Sequence, residues 1–276
     1  MSARLRGIAK ETEAIVEAGR YRAPDGRSVS IEAALATPLT GTRMYGPEPL
    51  GVTPATDRAT AFEVTGESSL EAARRLTLAS GAPVAVLNFA SARNPGGGYL
   101  NGAQAQEEAL CRASALYAAL LTAPEFYAHH RAERDAFYTD RVVHCPAVPV
   151  FRDDRGALLA QPYAVGFLTS PAPNAGVIEA RSPELADRIP AALERRAERV
   201  LESAVAEGYR RLVLGAWGCG VFRNDPARVA DAFRAHLADG GRFARHFDQV
   251  VFAVLDRTAR QGTIQAFREA FADLAA

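Results

Sequence analysis

Three consecutive glycines, Gly96, Gly97 and Gly98, are followed after seven intervening residues by Gln106-Glu107-Glu108. Amides without side chains can point together at an anion, and carboxylates just beyond such a loop are candidates for proton transfer. A second glycine-rich stretch runs Gly215-Ala216-Trp217-Gly218-Cys219-Gly220-Val221-Phe222. Two such loops, each following a strand and leading to a helix, suit a diphosphate gripped from both sides. The chemistry expected is acid/base catalysis on a phosphate-bearing substrate.

Each feature also has a plainer reading. Glycines serve turns and close packing, and glutamates at a helix start are favoured by the helix dipole. Adjacent helical residues diverge by about 100°, so Glu107 and Glu108 cannot share one proton as a dyad. One would do chemistry and the other hold a hydroxyl. A helix N-terminus lowers a carboxyl pKa while a general acid needs it raised, so burial has to win at the working glutamate. Phe222 is either a core side chain or a flat ring packed on a ribose or base.

Other chemistries find little support. No Rossmann or Walker A fingerprint follows a strand, which disfavours a dinucleotide-using oxidoreductase, and no nucleophile elbow or catalytic-cysteine signature stands out. The histidines His129, His130, His144, His236 and His246 show no ligand spacing. Cys111, Cys145 and Cys219 read as small buried apolar residues of a reducing compartment. No metal and no cofactor is expected.

The elements that would position these residues alternate. Candidate strands are Ser28 to Ile31, Ala61 to Thr65, Val84 to Phe89, Arg141 to Phe151 (with Pro146 and Pro149 marking an edge or bulge), Tyr163 to Thr169, Arg211 to Leu214 and Gln249 to Leu255. Helices are expected from Leu5 to Ala18, from Ser68 or Ser69 to Ser80, from Gln106 through Leu121, from Ser182 to Glu207, after Asn224-Asp225-Pro226, and from Thr263 to Leu274. Ala36 to Pro54 reads as an irregular connector. The pattern, about six strands alternating with helices, argues a three-layer α/β/α domain with a mostly parallel sheet. Ligands in such sheets sit at the carboxyl ends of the strands, where both glycine loops open. Residues 1–55 are taken as an extension packed on the core and residues 56–276 as the catalytic domain.

The 276 residues carry 32 basic and 32 acidic side chains. A net charge of zero argues against a broad DNA-binding face, though it does not count backbone amides. No signal peptide or membrane span is evident at the sequence level, so the expectation is a cytoplasmic monomer with no DNA or membrane partner.

The triple glycine with Gln106-Glu107-Glu108 at this spacing resembles the signature of poly(ADP-ribose) glycohydrolases. The second loop, Gly218-Cys219-Gly220-Val221-Phe222-Arg223-Asn224, resembles their bacterial-type branch, and the likeness spans Val84 to Asp256. It implies a macrodomain with a mixed, mostly parallel central sheet that binds ADP-ribose at the strand ends. It further implies that Asn94, Gly96 to Gly98, Gly218, Cys219, Gly220, Val221 and Phe222 contact substrate, and that Gln106 completes the signature and supports the loop. Glu108 would be catalytic, with Glu107 holding ribose hydroxyls and Phe222 fixing the terminal ribose. The stretch Asp256 to Gly262 and the last helix become candidates to close over the terminal adenosine, which would make the enzyme trim the polymer from its end. The activity implied is hydrolysis of ribose–ribose O-glycosidic bonds of poly(ADP-ribose), with release of ADP-ribose and ADP-ribosylated proteins as partners. A hydrolase of single ADP-ribose groups on proteins and a non-catalytic ADP-ribose reader are the alternatives. The intact Gln106-Glu107-Glu108 speaks against the reader.

Overall fold

The computed structural model describes residues 2–274. Helix α1 (Ala3–Ala18) is followed by the hairpin β1 (Arg20–Arg22) and β2 (Ser28–Ser30), helix α2 (Glu32–Gly41) and strand β3 (Arg43–Tyr45). Then come β4 (Ala61–Thr65), α3 (Ser69–Ser80), β5 (Val84–Phe89), a 3₁₀ turn at Tyr99–Asn101, α4 (Gln106–Ala113), α5 (Leu116–Leu120) and α6 (Pro124–Ala132). A long hairpin of β6 (Val142–Arg152) and β7 (Leu158–Ser170) leads into α7 (Ala175–Arg181), a 3₁₀ segment at Pro183–Arg188 and α8 (Ile189–Ala206). The chain finishes with β8 (Arg211–Leu214), α9 (Pro226–Leu237), β9 (Gln249–Ala253) and α10 (Gly262–Ala270).

Seven strands form one sheet in the order β3-β6-β7-β5-β8-β9-β4. β7, β5, β8, β9 and β4 are mutually parallel, while β6 and β3 pair antiparallel at one edge. β5 is central, and its side chains alternate between two apolar cores. Val84 and Val86 pack with α3, α4 and α5, whereas Ala85 and Leu87 pack with α8 and α9. Burial on both faces explains the apolar run Val84 to Leu87. A mixed, largely parallel sheet between helices is the macrodomain-like fold expected.

Local chemistry explains the boundaries. Ser68 and Glu71 form a reciprocal capping box that starts α3, and Asp225 accepts from Ala227 N ahead of Pro226 at the first position of α9. The bulge expected in β6 falls at Pro146-Ala147, where the register with β7 shifts between Cys145 and Val148.

Three expectations are corrected. The helix from Gln106 to Leu121 is two helices, because Ser114 turns extended (φ −147°, ψ 177°) and bridges to Val150 of β6. A run with helical apolar spacing hides that tertiary bridge. Ala36 to Pro54 is not wholly irregular: it contains the end of α2, with Pro38 inside the helix, and β3, the edge strand of the main sheet. The helix expected from Ser182 begins as 3₁₀ and becomes α-helical at Ile189, just ahead of Pro190.

Candidate active site

The carboxyl ends of β7, β5 and β8 lie side by side, with Phe89 registered against Ser170. Ser170 ties their exits together: its carbonyl accepts from Ala90 N (3.3 Å) and from the buried indole of Trp217 (2.9 Å). The first loop therefore leaves β5 beside the second, which leaves β8.

Gln106, Glu107 and Glu108 are the first three residues of α4, and they point to three places. Gln106 pins the helix to β5: its Oε1 accepts from Phe89 N (2.9 Å) and its Nε2 donates to Leu87 O (2.8 Å) and Ser69 Oγ (3.1 Å). Its amide is thus engaged at both ends by protein. Glu107 turns under the carboxyl end of β5, where Ser91 N (2.7 Å) and Asn88 Nδ2 (3.2 Å) donate to it. Glu108 turns toward the glycines, accepting from Gly98 N (2.9 Å) and, in the manner of a third-position helix cap, from Ala105 N (3.0 Å). The two glutamates share no hydrogen-bond donor, as the helical angle requires.

The glycine run fits around these carboxylates. Gly96 and Gly97 lie in the left-handed region, with φ 64° and 57°. A Cβ on Gly97 would stand 2.6 Å from Glu108 Oε1 and 3.2 Å from Glu107 Oε2. Both carboxylates therefore face the space that the missing side chain leaves free. Gly97 N donates to Asn94 O (3.0 Å), which closes the turn, and the Gly96 amide also faces Glu107. In this arrangement the first loop's amides hold its own carboxylates and turn.

Burial pushes the Glu107 carboxyl up to about 8, against the holding effect of the Ser91, Asn88 and Gly96 donors, with Glu108 adding to the rise. Burial therefore wins over the helix terminus at Glu107. Beside it, Asn88 is fully buried and its Oδ1 has no donor. The sequence reading missed Asn88. Its signal is a lone polar side chain within the apolar run Val84 to Phe89.

The second loop is a closed turn with a free face. Asn224 N donates to Gly218 O (3.1 Å), and Asn224 Nδ2 donates to Gly218 O (3.2 Å) and Pro173 O (2.8 Å). Among the described residues, the amides of Gly218, Gly220, Val221 and Phe222 donate to no protein acceptor, whereas those of Trp217, Cys219 and Arg223 do. Val221 is 81% exposed, so it does not serve the core. Cys219 tucks inward toward Trp217 O, and burial pushes its thiol up to about 12, far from thiolate character. Phe222 is half-buried, its ring 5.8 Å from that of Tyr138. Asn224, the last residue of the second-loop motif and the start of the α9 cap sequence, is the pin that closes this turn.

Helix α1 braces the first loop from behind. Tyr99, fully buried within the 3₁₀ turn, donates to Ala9 O (3.1 Å) and Glu13 Oε1 (2.9 Å). Ser2 N donates to Gly102 O (3.2 Å), and Thr12 Oγ1 donates to Arg112 O in α4 (2.8 Å).

The stretch Asp256 to Gly262 sits at the exit of β9, where Asp256 accepts from Thr258 and Thr263 amides. With Asp225 and Pro226 it lines a cavity of about 480 Å³ between the starts of α9 and α10. No group of His, Cys, Asp and Glu side chains that could hold a metal occurs among the described residues, and none of their helices is long and apolar enough to cross a membrane.

Comparison with known proteins points one way. Residues 9–153 match the family model described as the catalytic domain of microbial-type PARG, that is, poly(ADP-ribose) glycohydrolase. The chain is similar to the poly(ADP-ribose) glycohydrolase of Thermomonospora curvata, with 52% identity over 98% of this chain and 100% of that one, and a TM-score of 0.94. A structure of that enzyme with the inhibitor ADP-HPD aligns with a TM-score of 0.92 over the same shares. The Deinococcus radiodurans enzyme in complex with ADP-ribose is 44% identical over 90% of this chain and all of that one, with a TM-score of 0.83. No curated protein sequence matches the chain.

Proposed function

The chain belongs to the microbial-type poly(ADP-ribose) glycohydrolase family, a glycosidase family acting on poly(ADP-ribose), and on that premise we propose how its residues divide the reaction. The observation that carries the reading is the pair of carboxylates meeting at Gly97, with the free amides of Gly218, Gly220, Val221 and Phe222 on the neighbouring loop. The open amides take the diphosphate of the terminal ADP-ribose. Phe222 packs against its distal ribose, Glu107 holds the ribose hydroxyls, and the anomeric carbon lies near Gly97.

Cleavage of the ribose–ribose bond passes through an oxocarbenium-like state, and the departing oxygen needs a proton. Glu108 donates it and, as carboxylate, then activates the attacking water. The bound diphosphate offsets the positive charge that develops on the ribose. The segment Asp256 to Gly262 borders the adenosine end, so the chain trims from the polymer terminus. Residues 1–55 act as a brace for the catalytic loop. The protein works as a monomer in the cytoplasm, without a cofactor.

A second assignment has one observation in its favour. Glu107 has its pKa raised to about 8 and holds a proton at neutral pH, as a general acid must. Glu108→Gln and Glu107→Gln separate the two. The expected result is loss of ADP-ribose release by at least about 10³-fold in Glu108→Gln with ADP-ribose binding retained. Glu107→Gln, which keeps the neutral shape, is expected to lose far less. The reverse ranking would make Glu107 the acid, and full activity in both variants would remove the carboxylates from the chemistry.

A further inference from the structure

The side chain of Tyr138 is half-buried and is not accounted for by core packing. Among the described residues Tyr138 is one of four non-glycine residues at positive φ, at 57°, a costly conformation for a residue with a side chain. The turn around it is over-determined. Phe137 N donates to Asp135 Oδ1 (2.8 Å), Thr139 Oγ1 bonds His130 Nε2 (2.8 Å), and Asn174 N donates to Ala136 O (2.8 Å). Two residues on, Asp140 is clamped by Arg195 and the fully buried Arg196. The fold holds this ring in one place.

That place lies between the two loops of the site. Tyr138 stands 5.8 Å from the Phe222 ring at an interplanar angle of 40°, and the Arg93 guanidinium lies 5.9 Å from the centre of its own ring. Arg93 is itself fixed, donating from Nε to His130 O (3.3 Å), and Arg131 donates to Arg93 O (2.8 Å). Among the described residues neither arginine is paired with a carboxylate, and both are exposed. A positioned aromatic ring therefore borders Phe222, with the Arg93 guanidinium against that ring and Arg131 held on the Arg93 carbonyl.

We propose that Tyr138, Arg93 and Arg131 bind the departing side of the polymer, the ADP-ribose unit whose adenosine ribose carries the leaving oxygen. The inference rests on the glycohydrolase reading above. The diphosphate lies on Gly218 to Val221 and the distal ribose on Phe222, so the anomeric carbon, across the ring from the 5′-phosphate, faces away from the second loop's glycines. The leaving oxygen then points past Phe222 toward Tyr138. It is the 2′ oxygen of an adenosine, whose base sits on the adjacent ribose carbon and arrives within reach of an aromatic ring and a guanidinium plane. Adenine stacks there, and the diphosphate of the same unit meets Arg131.

The test compares substrates that differ only on the departing side. Tyr138→Ala, Arg93→Ala and the conservative Tyr138→Phe are assayed on poly(ADP-ribose) and on an ADP-ribosyl glycoside of a simple phenol, with ADP-ribose affinity measured by calorimetry. Losing one stacking partner of one base is expected to lower kcat/KM on polymer by about tenfold. The phenyl glycoside rate and ADP-ribose affinity should stay within about twofold of wild type, and Tyr138→Phe should keep most of the polymer rate. Arg93 is exposed, so its variant tests the idea even where Tyr138→Ala folds poorly. A parallel loss on all three ligands would make Tyr138 a mere brace for Phe222, and unchanged polymer kinetics would show that the unit binds elsewhere; either overturns the proposal. A wild-type protein inert on polymer yet active on the phenyl glycoside would overturn it together with the reading on which it rests.

Discussion

Gly97→Ala tests whether the glycine run is there to admit carboxylates. Gly97 has φ 57°, and its Cβ would stand 2.6 Å from Glu108 Oε1. The left-handed backbone costs an alanine about 1 kcal/mol. The contact is relieved if the Glu108 carboxylate retreats by about 0.8 Å, to ordinary van der Waals distance. Glu108 is the tip of a side chain, so that retreat is cheap in steric terms, but it weakens the 2.9 Å bond from Gly98 N. A charge-assisted hydrogen bond of this kind contributes about 1.5–3 kcal/mol, of which part is lost. The expected stability change is about 1–3 kcal/mol, a fall in Tm of roughly 2–5 °C for a chain of this size. Activity should suffer more, because displacement of a reacting group by about 1 Å costs on the order of 10²-fold. Release of ADP-ribose from polymer, measured beside thermal unfolding, checks both numbers. Wild-type turnover at an unchanged Tm would refute the packing reasoning outright.

Three further outcomes follow from the same structure. Gly220→Ala meets nothing within 4 Å and needs no left-handed backbone, so Tm should hold while ADP-ribose affinity falls, as calorimetry would register; unchanged affinity would move the diphosphate off this loop. Gln106→Ala strands the Phe89 amide and should cost about 1–3 kcal/mol in denaturant unfolding with little direct effect on ADP-ribose affinity; the opposite pattern would make Gln106 a ligand contact. Burial holds His130 and His246 down at about 4 and lowers His144 as well, so the unfolded chain binds more protons between that value and about 6.5. Their contribution is present above about pH 6.5 and lost as pH falls through 4, while the raised Glu107 carboxyl acts in the opposite sense between about 4.5 and 8. His246→Gln should therefore lose less stability than the wild type on acidification from about pH 6.5 to about 4, and equal slopes in the two proteins would contradict it.

Much of the site was legible because its chemistry is local in sequence. The glycine spacing, the helix start at Gln106 and the divergence of Glu107 from Glu108 all depend on residues within a dozen positions of one another. The capping box at Ser68 and Glu71 and the Asp225-Pro226 start of α9 were readable for the same reason. What escaped was set by distant partners. The break at Ser114 depends on Val150, and β3 becomes a strand only because β6 offers it an edge. The donors to Glu107 were likewise hidden, since Asn88 looks like a flaw in an apolar strand until the helix folds over it. Tyr138 carried no sequence signal, because its strained backbone is imposed by Asp135, His130 and Asn174.

The brace that α1 supplies has a bearing on how the site comes into being. Tyr99 meets Glu13 across 86 positions, and Thr12 meets Arg112 across 100. The second loop is held by nearer partners, Trp217 to Ser170 across 47 positions and Asn224 to Pro173 across 51. Closing a longer interval costs more chain entropy, and contacts of wide separation form late when they lie outside the nucleus. The carboxylate side of the cleft is thus closed over intervals about twice as long as the diphosphate side, an added chain-entropy cost of about 0.6 kcal/mol per contact. The diphosphate side is held by neighbouring βα units, whereas the carboxylate side is complete only with the first helix of the chain docked.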